Sequence, residues 1–289
     1  MNSEKSFDLS VAREQFVQYL TAAKRAHATI LAYSKDIEQL VAFLGNSGKK
    51  EISKVEKMDL EGFLKKLSSD GYTPKSLSRK INSIKTFYRF LKSQNLITVN
   101  PATEITHPKY EIKPPRILSK MEYRALRDAC RSDIRTHAIV ELFLQTGVRI
   151  GELAALQTDD VKEKELDIRP QESHPLRTIP LNKAAKEALD KWFSIRPKSN
   201  GVALFTTKTG RALLVRNIRT TIDRYFNLAG IKDAKVNDLR HTFIAHHLAS
   251  GTPLTMISKL VGHKRLATTE KYLDLVKEKM IDNVKLGEL

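Results

Sequence analysis

The chain has 289 residues, enough for two domains of ordinary size, and its apolar fraction of 41% is that of a globular protein. No run of about 18 apolar residues occurs, which excludes a helical membrane span, and the N-terminal MNSEKSFDLSVAREQF has no hydrophobic signal core, so a cytoplasmic protein is expected. Fifty Lys and Arg against 33 Asp and Glu leave a formal charge of +17, spread over both halves, which points to a polyanionic partner, nucleic acid first.

Four helices are predicted in the first hundred residues. Residues 8–24 carry Phe16, Tyr19 and Leu20 on one side, with Ser10 as the expected cap. Residues 28–44 carry Ile30, Tyr33, Ile37, Leu40, Val41 and Leu44 at steps of three and four. KMDLEGFLKKLSSDG turns Leu60, Phe63, Leu64 and Leu67 inward. The fourth helix opens on Thr73 as cap and Pro74 in the first turn, with an apolar stripe of Leu77, Ile81, Ile84, Tyr88 and Leu91. Lys75, Arg79, Lys80 and Lys85 lie largely off that stripe, either as a solvated face or as a grip on phosphates.

NPATEITHPKYEIKPPRIL, residues 100–118, contains four prolines and reads as an interdomain connection. The expected division is a helical domain over 1–106, a linker over 107–118 and a second domain over 119–289. Ser119 and Glu122 form a capping box at the start of the second domain. That domain is mostly helical, with two strand-like runs in ELDIRPQESHPLRTIPL around a turn at 170–175 and another in GVALFT, 201–206. The single cysteine, Cys130, has no internal disulfide partner and is expected to be a small buried side chain.

Three segments of the second domain carry candidate chemistry. In LFLQTGVRIGELAAL, Arg149 follows a break at Thr146-Gly147. Taken alone, Arg149 with Glu152 reads as a surface ion pair. In KVNDLRHTFIAHHLASG, Arg240 sits beside apolar positions and needs an anionic partner, either a protein carboxylate or a phosphate. In ISKLVGHKRLATTEKYLDL, Gly262 ends a short helix, His263 follows, and Thr268 or Thr269 is expected to cap a helix carrying Tyr272. Two arginines suit the two non-bridging oxygens of a phosphodiester, a histidine adds a donor or a proton-transfer group, and a tyrosine adds a nucleophile. His241, His246 and His247 lack an acidic or cysteine partner at ligand spacing, so no metal site is expected. His241 is expected to pack behind the site, and the other two to be structural or solvent-facing.

The ordered motifs TGVRIGEL, LRHTF and LVGHKRLATTEKY, with nine residues from His263 to Tyr272, resemble those of the tyrosine recombinases, the phage-integrase and Xer-like group. The resemblance covers nearly the whole chain. It implies a mostly α, two-domain fold: an N-terminal four-helix SAM-like core-binding domain and an α-helical catalytic domain with a small antiparallel β-sheet. It also implies attack by Tyr272 on a DNA phosphodiester, a 3′-phosphotyrosyl intermediate, and no metal, ATP or other cofactor. Arg149 and Arg240 would bind the phosphate and His263 would assist. The partners implied are a double-stranded DNA recombination site and a homotetramer on two such sites. The C-terminal LVKEKMIDNVKLGEL, with Val276, Met280 and Val284 on one side, would dock on a neighbour.

The chain departs from the family's pattern twice. Asn237 stands where the family usually has histidine; it can donate to phosphate but cannot act as an acid or base. The hairpin turn has Gln171 and Glu172 where the family has a lysine, with Arg169, His174 and Lys164 as candidate substitutes. A DNA-binding protein of the same fold with weak or conditional cleavage is therefore the alternative reading. A metal-dependent nuclease using the histidines is a weaker one.

Overall fold

The computed structural model describes residues 8–171, 174–197 and 201–281, with side chains as far as Lys277. The chain divides into two compact units, Met1–Lys113 and Pro114–Leu289. Among the described residues, no helix is long and apolar enough to cross a membrane.

The first unit contains α1 (Leu9–Ala22), α2 (His27–Asn46), α3 (Lys57–Ser69) and α4 (Pro74–Ser93). Asp8, not Ser10, caps α1: its carboxylate accepts from the Ser10 amide at 2.7 Å, and Ser10 lies inside the first turn. Thr73 caps α4 with Pro74 in the first turn, a position where a missing N–H costs nothing. The stripes meet in one core that includes Phe16, Ile37, Leu40, Phe63, Ile84 and Tyr88, with Phe16 edge-on to Phe87 at 5.2 Å. Ala102 and Ile105 are buried in the same core, so the chain beyond α4 still packs with this unit.

Lys75, Arg79, Lys80 and Lys85 do not form one open basic face. Lys80 is 2% exposed; its ammonium bonds Asp36 at 2.8 Å and Gln39 at 2.5 Å. Asp36 also takes both ends of the Arg79 guanidinium. A long lysine stem can bury itself when a carboxylate awaits its charge, and α2 supplies one. Lys85 is half-buried and donates to the Thr103 carbonyl at 3.3 Å, whereas Lys75 is exposed.

The second unit runs α5 (Lys120–Cys130), α6 (Ile134–Thr146), α7 (Ile150–Ala155), β1 (Glu165–Ile168), β2 (Arg177–Pro180), α8 (Lys183–Ile195), α9 (Val215–Leu228), α10 (Val236–Ala249), α11 (Leu254–Val261), α12 (Ala267–Glu270) and α13 (Leu273–Ile281). The Ser119–Glu122 capping box is present, and Leu118 just before it is buried, its amide donating to Thr242 Oγ1 at 2.9 Å. β1 and β2 pair antiparallel, with Leu166 opposite Ile179 and Ile168 opposite Arg177. Cys130 is fully buried.

The GVALFT run is not a strand of the sheet. It makes isolated bridges, Ala203 with Gln157 and Thr206 with Ala212. Leu204 and Phe205 are both buried, so successive side chains fill the core instead of alternating across a pleat. α12 ends at Glu270, so Tyr272 sits in the turn before α13 and not inside a helix. Val276 packs within this unit beside Phe243, Leu248 and Tyr272 and is not part of an open docking face. The Met280 side chain, Val284, Glu172 and Ser173 lie outside the described residues.

Candidate active site

The site is assembled on the ends of two helices. α6 and α11 each stop at a glycine in the left-handed region, Gly147 at φ 61° and Gly262 at φ 67°. A helix ends with carbonyls that have no partner within it, and their dipoles favour cations. Three arginines answer consecutive carbonyls at the end of α11. Arg177 Nε donates to Leu260 O at 2.8 Å, Arg240 Nη2 to Val261 O at 2.7 Å and Arg149 Nη2 to Gly262 O at 2.8 Å. Arg240 also donates to Gly147 O at the end of α6. Both glycines are required for space as well as for φ: a side chain at Gly147 would strike the Phe243 ring, and one at Gly262 would come within 3.0 Å of the Arg177 guanidinium.

Glu152 ties two of these arginines together. Its carboxylate, 4% exposed, accepts from Arg149 Nη1 at 2.7 Å and from Arg177 Nη1 and Nη2 at 2.8 and 2.7 Å. Burial alone would raise this carboxyl, but the Arg177 hydrogen bonds, the Arg149 amide and the two positive charges bring it down to about 2. The Arg149–Glu152 pair is thus part of a buried cluster, not a surface ion pair.

Arg240 is 5% exposed. Burial and the neighbouring Arg149 pull its pKa down to about 9, which still leaves it a cation at neutral pH. His263 is held down to about 4 by burial and then by Arg240 and Arg149, so it is a neutral imidazole. Its Nδ1 stands 2.7 Å from Thr269 Oγ1, so Thr269, fully buried, orients His263 and does not cap α12. Tyr272 is 5% exposed; burial pushes its phenol up to about 12, with Arg240 acting the other way.

Asn237, Arg240 and His241 lie on one turn of α10. His241 does not pack behind the site: its Nδ1 is 2.5 Å from Tyr272 Oη and its Nε2 is 2.7 Å from Asn237 Nδ2. His246 is exposed and His247 is half-buried against the Phe243 ring at 4.5 Å.

Two residue families match this chain over both units. The family described as phage integrase matches residues 116–279, and the one described as phage integrase, N-terminal SAM-like domain, matches residues 14–95. The chain belongs to the phage integrase family. Within that family, the tyrosine recombinases, it is an Xer-like enzyme of site-specific DNA recombination. Tyrosine recombinase XerC of Shewanella amazonensis is 30% identical over 270 residues, covering 91% of this chain and 90% of the relative. The crystal structure of XerA recombinase is 27% identical, with a TM-score of 0.54 over 94% of this chain and 96% of that one. A lambda integrase tetramer bound to a Holliday junction, at 19% identity, shares the fold with a TM-score of 0.76 over 92% of this chain and 80% of that one.

Arg149, Asn237, Arg240, His263 and Tyr272 therefore lie in one cluster of this recombinase, linked through the α11 terminus and His241. Sequence reasoning missed Arg177, Thr269 and the position of His241. Arg177 shares the inward face of β2 with Ile179, opposite the buried Ile168, so the alternation along RTIP was the signal that could have found it.

The hairpin candidates separate in space. Arg169 is bonded to Asp160 at 2.6 Å. Lys164 is exposed at the open end of the hairpin, its carbonyl accepting from Leu181 N. Gln171 at the turn donates to Gly151 O at 3.2 Å. His174 faces the charge of Arg149, Glu152, Lys264 and Arg177, and its buried Nδ1 has no hydrogen-bond partner among the described residues.

Proposed function

We propose that this recombinase cuts and rejoins double-stranded DNA through a 3′-phosphotyrosyl link on Tyr272, in a homotetramer on two DNA sites, without metal or ATP. One observation carries the reading: three arginines are gathered around a single buried carboxylate, beside a tyrosine. Arg149, Arg177 and Arg240 against Glu152 leave an excess of two positive charges in a largely dry site, and a phosphodiester is the complement.

In this reading the Arg149 and Arg240 forks, each spending part of its donors on carbonyls, hold the non-bridging oxygens and stabilise the charge that grows on phosphorus. His263 donates a hydrogen bond, its imidazole fixed by Thr269. Arg177 and Glu152 position the arginines. His174 is the candidate acid for the leaving 5′-oxygen, since Arg169 is taken by Asp160 and Lys164 lies at the far end of the hairpin. Burial and then Arg149 hold the His174 pKa below its usual value, which favours its neutral form. Lys75, exposed on α4, is the member of the predicted basic set best able to meet a DNA phosphate. The tetramer is supported by the likeness to the lambda integrase tetramer.

Gln171, bonded to Gly151 O where the family has a lysine, favours a second reading as a DNA-binding protein with weak or conditional cleavage. A nicked suicide DNA substrate decides between them. Wild type is expected to become covalently attached, with or without chelator, and Tyr272→Phe is expected to bind the DNA without attachment. No covalent species from wild type would sink the first reading.

A further inference from the structure

We infer that His241 is the general base that takes the Tyr272 proton, with Asn237 as the residue that positions it. The inference rests on the reading of Tyr272 as nucleophile. It begins with a ring bonded at both ends. Nδ1 is 2.5 Å from Tyr272 Oη, the ring centroids are 5.7 Å apart at 42°, and Nε2 is 2.7 Å from Asn237 Nδ2. His263, the other nearby imidazole, has its Nδ1 committed to Thr269. Asn237 itself has no proton-accepting function at working pH. His241, one turn further along α10, therefore supplies the base that Asn237 cannot.

The phenol needs such a partner. At about 12, it would be ionised in only about one molecule in 100,000 at neutral pH. Burial holds His241 below the usual imidazole range, so its lone pair is available at neutral pH. The charged and titratable groups around it are Asp238 and Arg240 on its own helix, His263 beyond α11 and Tyr272 before α13. The Asn237 amide is nearly isosteric end to end, and a half-turn presents Oδ1 to the Nε2–H of the accepting tautomer.

In cleavage the Oη–P bond forms and the P–O5′ bond breaks. The phenolic proton passes to His241 Nδ1, and the 5′-oxygen takes a proton from its own donor at the hairpin. In strand transfer the incoming 5′-hydroxyl attacks, its proton returns to that donor, and the His241 imidazolium returns a proton to Tyr272 Oη as it leaves. Nothing else is consumed.

The test uses the full chain on the nicked suicide substrate. His241→Ala and His241→Gln are expected to bind DNA as wild type does and to form the covalent complex about 100- to 10,000-fold more slowly. Their deficit should shrink as pH rises, and imidazole should partly restore His241→Ala but not Tyr272→Phe. A 5′-bridging phosphorothiolate, whose sulfur leaves without protonation, should restore His174→Ala and leave the His241 deficit in place. Cleavage by both His241 variants within about threefold of wild type, or a deficit cured by the phosphorothiolate, would overturn the assignment. Failure of wild type to attach would instead remove the nucleophile reading on which it rests.

Discussion

The two units each bury a carboxylate among cations, and they use it differently. In the first, Asp36 (1% exposed) takes Lys80 and both ends of Arg79. Lys80 is sealed under the Tyr72 ring at 5.0 Å, but the Arg79 side chain is 46% exposed, so the surplus charge there is in water. In the second, Glu152 takes Arg149 and Arg177, and Arg240 is held by the carbonyls of Gly147 and Val261. Carbonyls satisfy N–H donors without cancelling a whole charge. The surplus therefore remains in a site where Arg240 is 5% exposed, and it favours an anion. The same ingredients make a structural lock where the excess reaches solvent and a site suited to an anion where it is buried.

Arg240→Lys should show the largest effect. The ammonium cannot span both carbonyls and a phosphate, so covalent complex formation should fall about 100- to 1,000-fold while DNA binding in a gel-shift assay changes little. Equal loss of binding and cleavage would break the distinction drawn between the two clusters. Asp36→Asn should act the other way round. It leaves Lys80 buried without a counter-charge, so urea unfolding should show a loss of about 3 kcal/mol, with cleavage unchanged well below the melting point. A folded Asp36→Asn protein that cannot cleave would show that the first unit's lock serves the chemistry directly.

The remaining effect is on acid stability and leaves the protein intact at neutral pH. A carboxyl held below its unfolded value stabilises the fold only while ionised. The Glu152 contribution, about 3 kcal/mol for a shift from 4.5 to about 2, is full above pH 4.5 and is lost as pH falls towards 2. His263, lowered from 6.5 to about 4, likewise contributes in its neutral form above pH 6.5 and loses that contribution as pH falls through 4. The melting temperature should therefore drop continuously from pH 7 to pH 3, and His263→Gln should flatten the part between 6.5 and 4. A flat curve for wild type would show that neither group is buried against its charge.

Much of the helical framework was legible because the apolar spacing on α2 and α4 matches one face of a helix, and such a face has one place to go. Thr73-Pro74 and Ser119–Glu122 marked helix starts for the same local reason. Local signals failed where two residues compete for one role. Asp8 and Ser10 are both good caps, and Thr269 reads as a cap until His263 is seen to need it. Lys80 reads as a surface cation because the carboxylate that receives it is 44 positions away.

By itself the sequence determined the helical faces, the proline-rich junction, the basic balance and the order of Arg149, Arg240, His263 and Tyr272, all properties of neighbours along the chain. The tertiary structure alone decided that three arginines converge on the last carbonyls of α11, that Arg177 joins them, and that His241 stands between Asn237 and Tyr272. Those contacts join positions 21 to 113 residues apart, apart from the single helical turn from Asn237 to His241. Helix ends and charges find such partners through space, and no period in the sequence records them.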